Sequence, residues 1–108
     1  MVTKVPIACT LTADAAVDRL SEWKALLTTM VRSVETTTNH AALTLLGGSE
    51  PLLTATDLAE REKVCCSFFL FSIEMDGTET RLHIEVPPEA DPILTDLLTL
   101  LPTYLRSN

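Results

Sequence analysis

The sequence predicts an α+β fold, in the form of a ferredoxin-like two-layer sandwich with helices on one face of a mainly antiparallel sheet. Short segments with alternating apolar residues are separated by longer segments whose apolar residues recur at helical spacing. Their order along the chain is β-α-β-β-α-β-β-α, which pairs hairpins with intervening helices. A split βαβ arrangement would place the first strand parallel to the strand that follows the second helix.

One domain is expected, because 108 residues with 46% hydrophobic content can bury a single core. We assign residues 1–102 to this domain and residues 103–108 to a flexible tail, since Pro102 ends the last helix. No apolar run is long enough to span a bilayer, and the first residues lack the apolar segment of a signal peptide. We therefore expect a cytoplasmic protein without a membrane partner.

The charge balance argues against direct nucleic-acid binding. The net charge is −7, from 15 acidic and 8 basic residues, and the basic residues are scattered singly. Nucleic-acid binding depends on clustered basic side chains that displace phosphate counterions.

The first half of the chain predicts a strand, a helix and a hairpin. Residues 5–11 alternate, and Cys9 lies with the apolar set. A helix follows, with Arg19 among the residues on its solvated side. Its apolar stripe consists of Ala16, Leu20, Trp23, Leu27 and Met30. Two β-prone runs, 32–38 and 41–46, then form a hairpin with His40 near its tip, where we assign it no role.

The second half predicts a helix, a second hairpin and a final helix. Ser49 is expected to cap a helix that runs to the cysteine pair. Asp76-Gly77 then signals a two-residue hairpin turn, with Phe71 opposite Leu82 and His83 on the sheet surface. Asp91 is expected to cap the last helix, with a proline in its first turn.

The cysteine pair carries the strongest chemical signal. Glu62 precedes Cys65 and Cys66 by three and four residues, so the three side chains can share a helix face. Glu62 also continues an apolar stripe, where a carboxylate needs a partner. Cys9 would converge on the pair if its strand lies beside the one that follows the second helix. An odd cysteine count in a reducing compartment predicts free thiols.

Three thiolates suit a trigonal thiophilic ion of the mercury, arsenite or copper(I) class. Zinc is possible if Glu62 or a histidine completes the set. The leading hypothesis is that the protein binds, sequesters or senses such an ion through Cys9, Cys65 and Cys66. One alternative is an enzyme, such as an organomercurial lyase-like activity with Glu62 as proton donor. Another is an interaction domain whose cysteines are core residues.

Three segments resemble a small domain found alone or appended to MerR-type, heavy-metal-responsive regulators. They are Cys9-Thr10-Leu11, residues 19–27, and Glu62-x-x-Cys65-Cys66-Ser67-Phe68-Phe69. The family pattern is Cys-Thr-Leu followed by Glu-x-x-Cys-Cys-Pro-Phe, so Ser67 departs from the usual proline. The resemblance extends from Ile7 to the last helix. It implies a thiophilic-metal context and singles out Cys9, Glu62, Cys65 and Cys66.

The last helix predicts a homodimer. Leu94, Leu98 and Leu101 lie on one side of it, and Ile93, Leu97 and Leu100 lie on another. One helix packed on one sheet cannot bury both sets, and Phe68 and Leu70 also face away from the predicted core. A second copy of the chain would cover this apolar surface.

Overall fold

The computed structural model describes the backbone of residues 13–106 and the side chains of residues 17–105. The protein has an α+β fold with a four-stranded antiparallel sheet. The elements are α1 (Ala13–Thr29), β1 (Val31–Thr37), β2 (His40–Leu45), α2 (Ser49–Cys65), β3 (Leu70–Asp76), β4 (Glu79–Glu85), a 3-10 turn (Pro88–Ala90), α3 (Asp91–Leu98) and α4 (Thr103–Arg106).

The strand order is β1-β2-β4-β3, and every pairing is antiparallel. The predicted first hairpin is confirmed as β1 and β2, and His40 follows its turn directly. The ferredoxin-like order is not confirmed, because β4 returns across the sheet and pairs with β2, with Leu43 opposite Leu82. β4 therefore occupies the place beside β2. The predicted strand over residues 5–11 lies outside the described residues.

One face of the sheet forms the core. In β2 and in the second half of β4, every second residue is apolar and points into the core, where it is fully or almost fully buried. These residues are Ala41, Leu43, Leu45, Leu82 and Ile84. The buried residues of α1 and α2 belong to the same cluster, so both helices cover this face. Burying each large apolar side chain contributes about 1.5–3 kcal/mol, and this gain favours packing of both helices on the apolar face of the sheet.

The buried stripe of α1 differs from the predicted one. Trp23 and Leu27 are buried as expected, but Leu20 is 52% exposed and Leu26 is completely buried. Arg19, which we expected on the solvated side, has a side chain only 12% exposed. The helix is rotated because it packs against both the sheet and α2. The predicted stripe assumed a single contact surface.

The register of the β3–β4 hairpin is also corrected. Asp76 pairs with Glu79, which makes Gly77-Thr78 the turn and places Phe71 opposite Ile84. The shift from the predicted register is two residues, so the same side chains still face the core. Both registers bury the same side chains, so the register is determined by the position of the turn. A two-residue turn of type I′ at Asp76-Gly77 would require a positive φ at Gly77, and Gly77 does not have one.

Two predicted helix caps are wrong by one position. Ser49 and Asp91 are the first residues of α2 and α3, and the capping positions belong to Gly48 and Ala90. Neither capping residue makes a side-chain hydrogen bond to its helix. Gly48 has a φ of 103°, a conformation that glycine adopts without a steric penalty. This backbone geometry displaces Ser49 into the helix.

The C-terminal segment buries leucines from both predicted sets within one chain. Leu94 and Leu97 of α3 are buried, and so is Leu101 after the helix ends. The chain therefore buries members of both sets by itself, while Ile93, Leu98 and Leu100 are only partly buried. The segment predicted as a tail begins with α4, whose Leu105 packs against the core. Among residues 13–106, no helix is both long and apolar enough to cross a membrane.

Candidate functional site

A buried polar network lies where α1 packs against α2. Glu62 is 6% exposed, and its Oε1 accepts two hydrogen bonds. Trp23 Nε1 donates one at 2.9 Å, and Arg19 Nη1 donates the other at 3.1 Å. The expectation that a carboxylate on this stripe needs a partner is confirmed. Without these donors, burying Glu62 would be strongly unfavourable.

Arg19 connects this carboxylate to a cysteine. Its Nη2 lies 3.7 Å from the Sγ of Cys65, within hydrogen-bonding range for sulfur. Burial acts to lower the pKa of the Arg19 guanidinium, but hydrogen bonds to Cys65 and Glu62 outweigh it and raise this pKa. Arg19 is therefore a fixed cation between a carboxylate oxygen and a sulfur.

The two adjacent cysteines have different surroundings. Cys65 ends α2, is half-buried and is a free thiol. Cys66 is completely buried and disulfide-bonded. The expectation that all cysteines are thiols is therefore wrong for Cys66. Cys65 has a helical backbone, whereas Cys66, with a φ of −129° and a ψ of 83°, does not. The two side chains therefore do not follow one helical spacing.

Aromatic rings line the apolar side of the network. Trp23 stacks on Phe71 with ring centroids 6.1 Å apart, and Phe71 stacks on Phe69 at 5.3 Å. Phe69 in turn stacks on Phe68 at 4.6 Å. Rings of this kind keep water away from one side of the network. Hydrogen bonds and ion pairs are stronger in such a low-dielectric setting than they are in water.

The predicted metal ligands are only partly brought together. Cys65 and Cys66 are neighbours, whereas Cys9 lies outside the described residues. Within residues 13–106, no group of three or more His, Cys, Asp or Glu side chains is arranged to hold a metal ion. The Oε1 of Glu62 already accepts from two donors. A role for Glu62 as ligand or proton donor would therefore have to use Oε2.

Sequence reasoning missed Arg19 as a site residue. Arg19 precedes Trp23 by four residues, so the two side chains share a helix face. That spacing was a usable signal, because Trp23 was correctly predicted to be buried. An arginine one turn before a buried tryptophan on an apolar stripe indicates a partner on the opposing helix.

A second polar cluster on the outer face of the sheet was also missed. His40 Nε2 lies 3.2 Å from His83 Nδ1, and His83 Nε2 lies 2.9 Å from Glu74 Oε1. The two imidazole rings are stacked with centroids 5.3 Å apart. The histidines are 43 residues apart in sequence, and only the pairing of β2 with β4 brings them together. No local pattern encodes that pairing.

In comparisons with known proteins, no family model, curated protein or solved structure matches the chain. The chemistry of the site therefore has to be inferred from its own geometry. That geometry is the free thiol of Cys65 beside the buried, disulfide-bonded Cys66, with an arginine held against the thiol by a buried carboxylate.

Proposed function

We propose that the protein binds a thiophilic metal or metalloid ion, of the mercury, arsenite or copper(I) class, with Cys65 as the first sulfur ligand. Cys66 and Cys9 supply further sulfurs when the protein is fully reduced. A reducing compartment such as the cytoplasm would provide that state. The likeness to the domain of MerR-associated regulators, stated above on sequence grounds, supports the same chemistry.

One observation carries this proposal, namely the contact between Arg19 and the Cys65 sulfur. Arginine has only hydrogen-bond donors, so the sulfur must act as the acceptor in this contact. A thiolate is the stronger acceptor and is also the form that binds soft ions. Because Glu62 fixes the other end of the guanidinium, the charge stays beside the sulfur instead of turning to solvent.

The experiment is to titrate the protein with mercuric, arsenite or cuprous ions, and to count the thiols that remain reactive. Without prior reduction, we expect mercuric ion to protect Cys65 and the Cys65→Ser variant to lose this protection. After complete reduction and removal of the reductant, we expect more than one thiol per chain to be protected. The proposal is wrong if all thiols stay equally reactive with every ion.

Arg19 and Arg61 offer a matched pair of variants for the same titration. Both arginines join α1 to α2 through a carboxylate, but only Arg19 contacts the sulfur. Arg19→Gln should slow the reaction of Cys65 with iodoacetamide and weaken ion binding. Arg61→Gln should leave both unchanged. Equal effects from the two variants would mean that the helix contact, and not the contact with sulfur, matters.

Catalysis by Glu62 has less support than binding does. An organomercurial lyase-like mechanism requires the carboxyl group to deliver a proton, yet its Oε1 is held by two donors. Glu62→Gln separates the two hypotheses because it preserves an acceptor for Trp23 Nε1. If Glu62 is a proton donor, this variant loses turnover of an organomercurial and keeps its ion affinity. If Glu62 positions Arg19, ion affinity falls and no turnover is seen in either protein.

The sequence-based homodimer also stays a proposal, on a smaller apolar surface than first expected. Leu70 is 64% exposed on the outer face of β3. Phe68 beside it is partly buried against the core. Light scattering of the protein at micromolar concentration should give twice the mass of the chain if a second copy covers this surface.

A further inference from the structure

We propose that His40 and His83 together form a binding site for a divalent transition-metal ion such as Zn²⁺, on the outer face of the sheet. This site is independent of the cysteine site. Cys65 and Cys66 lie at the C-terminal end of α2, which covers the opposite, buried face of the sheet. Imidazole nitrogens are common ligands of zinc, nickel and copper, and thiolates are not needed for these ions.

The hydrogen bonds determine which ring nitrogens carry protons. A carboxylate can only accept, so His83 must donate its Nε2–H to Glu74 Oε1 at 2.9 Å. In a neutral imidazole this leaves His83 Nδ1 without a proton. His40 must then donate its Nε2–H to that nitrogen across 3.2 Å. A single proton therefore lies between two nitrogen atoms.

A metal ion can replace this proton. If His40 carries its proton on Nδ1 instead, both nitrogens that face each other become unprotonated. Zinc binds imidazole nitrogen at about 2.0–2.1 Å, so two ligands at a tetrahedral angle are about 3.3 Å apart. The observed separation of 3.2 Å is close to that distance, and the two rings would have to turn so that both nitrogen lone pairs point at one ion. Both histidines are partly exposed, so an ion can reach them from solvent.

Glu74 provides the support that zinc-binding histidines usually have. Metal-ligating histidines typically donate their second ring N–H to a carboxylate, which sets the tautomer and the ring orientation. Glu74 does this for His83. Its other oxygen, Oε2, lies 3.3 Å from Arg81 Nη1, so the carboxylate is itself held in place. The net charge of the whole chain, −7, also favours the approach of a cation over that of an anion.

The strength of the site follows from its ligand count. Two imidazoles are present, and no group of three protein ligands is arranged for a metal in the part of the chain that the structure describes. Water completes the coordination, so binding is weaker than at a structural zinc site, which has four protein ligands. An open, water-bearing position is also the arrangement that lets a bound zinc ion act on a substrate.

Calorimetric titration with Zn²⁺ tests the proposal, on unreduced protein whose free thiols are capped with iodoacetamide. Capping removes Cys65 as a competing ligand, so the result does not depend on the proposed thiol function. We expect one Zn²⁺ per chain. His40→Ala and His83→Ala should each abolish saturable binding. Glu74→Gln should weaken binding by about 10- to 100-fold, the typical effect of removing a carboxylate that orients a ligating histidine.

A control and a spectroscopic readout complete the experiment. Glu60→Gln changes an exposed glutamate on α2 and should bind zinc as the wild type does. On zinc addition, the ¹⁵N resonances of His40 Nε2 and His83 Nδ1 should shift, whereas His83 Nε2 keeps its proton. Three results would overturn the proposal. They are no saturable binding by the wild type, unchanged binding by either histidine variant, and a stoichiometry of one Zn²⁺ per two chains.

Discussion

Two ion pairs between described side chains join α1 to α2, and they differ mainly in how far water reaches them. Arg19 of α1 pairs with Glu62 of α2, and their side chains are 12% and 8% exposed. Three residues along, the charges are reversed, so that Glu22 of α1 pairs with Arg61 of α2. The side chain of Glu22 is 44% exposed and that of Arg61 is 40% exposed. The contact between α1 and α2 therefore contains one covered and one exposed arginine–glutamate ion pair.

The comparison indicates that the burial of an ion pair, and not the number of its contacts, decides how much stability is lost when one partner is removed. Arg61 contacts two carboxylates, those of Glu22 and Asp57. Hydrogen bonds to Glu22 and then Asp57 raise its pKa. Exposed pairs of this kind contribute little, because water screens them and the side chains lose conformational freedom. The covered pair cannot lose one member without leaving a desolvated charge behind.

The largest expected effect is that of Glu62→Ala. This change leaves the Arg19 charge half-buried and removes the acceptor of Trp23 Nε1. We expect the free energy of unfolding to fall by about 3–5 kcal/mol, the range for removing one member of a buried pair. Urea denaturation followed by circular dichroism measures it. A loss below about 1 kcal/mol would show that the network is solvated in solution.

A smaller effect is expected for Trp23→Phe. This change removes the hydrogen bond to Glu62 and part of a ring that is 2% exposed. The hydrogen bond to a charged acceptor contributes about 1.5–3 kcal/mol, and the lost ring volume adds to the destabilisation. A double-mutant cycle with Glu62→Ala isolates the hydrogen bond. Additive effects of the two changes would mean that this bond contributes nothing.

The smallest stability effect is expected for Arg61→Ala. Its ion pairs are exposed, so we expect the free energy of unfolding to change by no more than about 0.5 kcal/mol. The same urea measurement gives this value at low and at high salt, where the difference should shrink further. A loss as large as that of Glu62→Ala would remove the distinction between the covered pair and the exposed pair.

The exposed hairpin offers a test by pH. A hydrogen bond from Arg81 lowers the pKa of the Asp76 carboxyl below its ordinary value. Its stabilising contribution is therefore present above the ordinary pKa of aspartate and is lost as the pH falls through the lowered value. Arg81→Met should raise the pKa of Asp76 towards its ordinary value, as measured by NMR titration. An unchanged pKa would mean that Arg81 does not hold this carboxylate in solution.

Several features of the fold follow from local sequence alone. The hairpin before Gly47-Gly48, the helix that ends at Cys65 and the core residues Leu82 and Ile84 were all predicted correctly. Each depends on a period of two or of about 3.6 residues, and such a period records which side chains are shielded from water. The need of Glu62 for a partner was also predictable, because an unpaired carboxylate on an apolar stripe is unfavourable.

The identity of that partner was not predictable from a local pattern, since Arg19 is 43 residues away from Glu62 in sequence. The spacing of apolar residues along α1 does not reveal that this helix also packs against α2. The rotation of α1 that covers Arg19 could therefore not be derived from that spacing. The placement of β4 beside β2, which joins His40 to His83, has the same origin. The sequence by itself determined which residues avoid water and which turns are possible. Only the tertiary structure decided which distant residues meet, because that choice depends on packing all elements around one core.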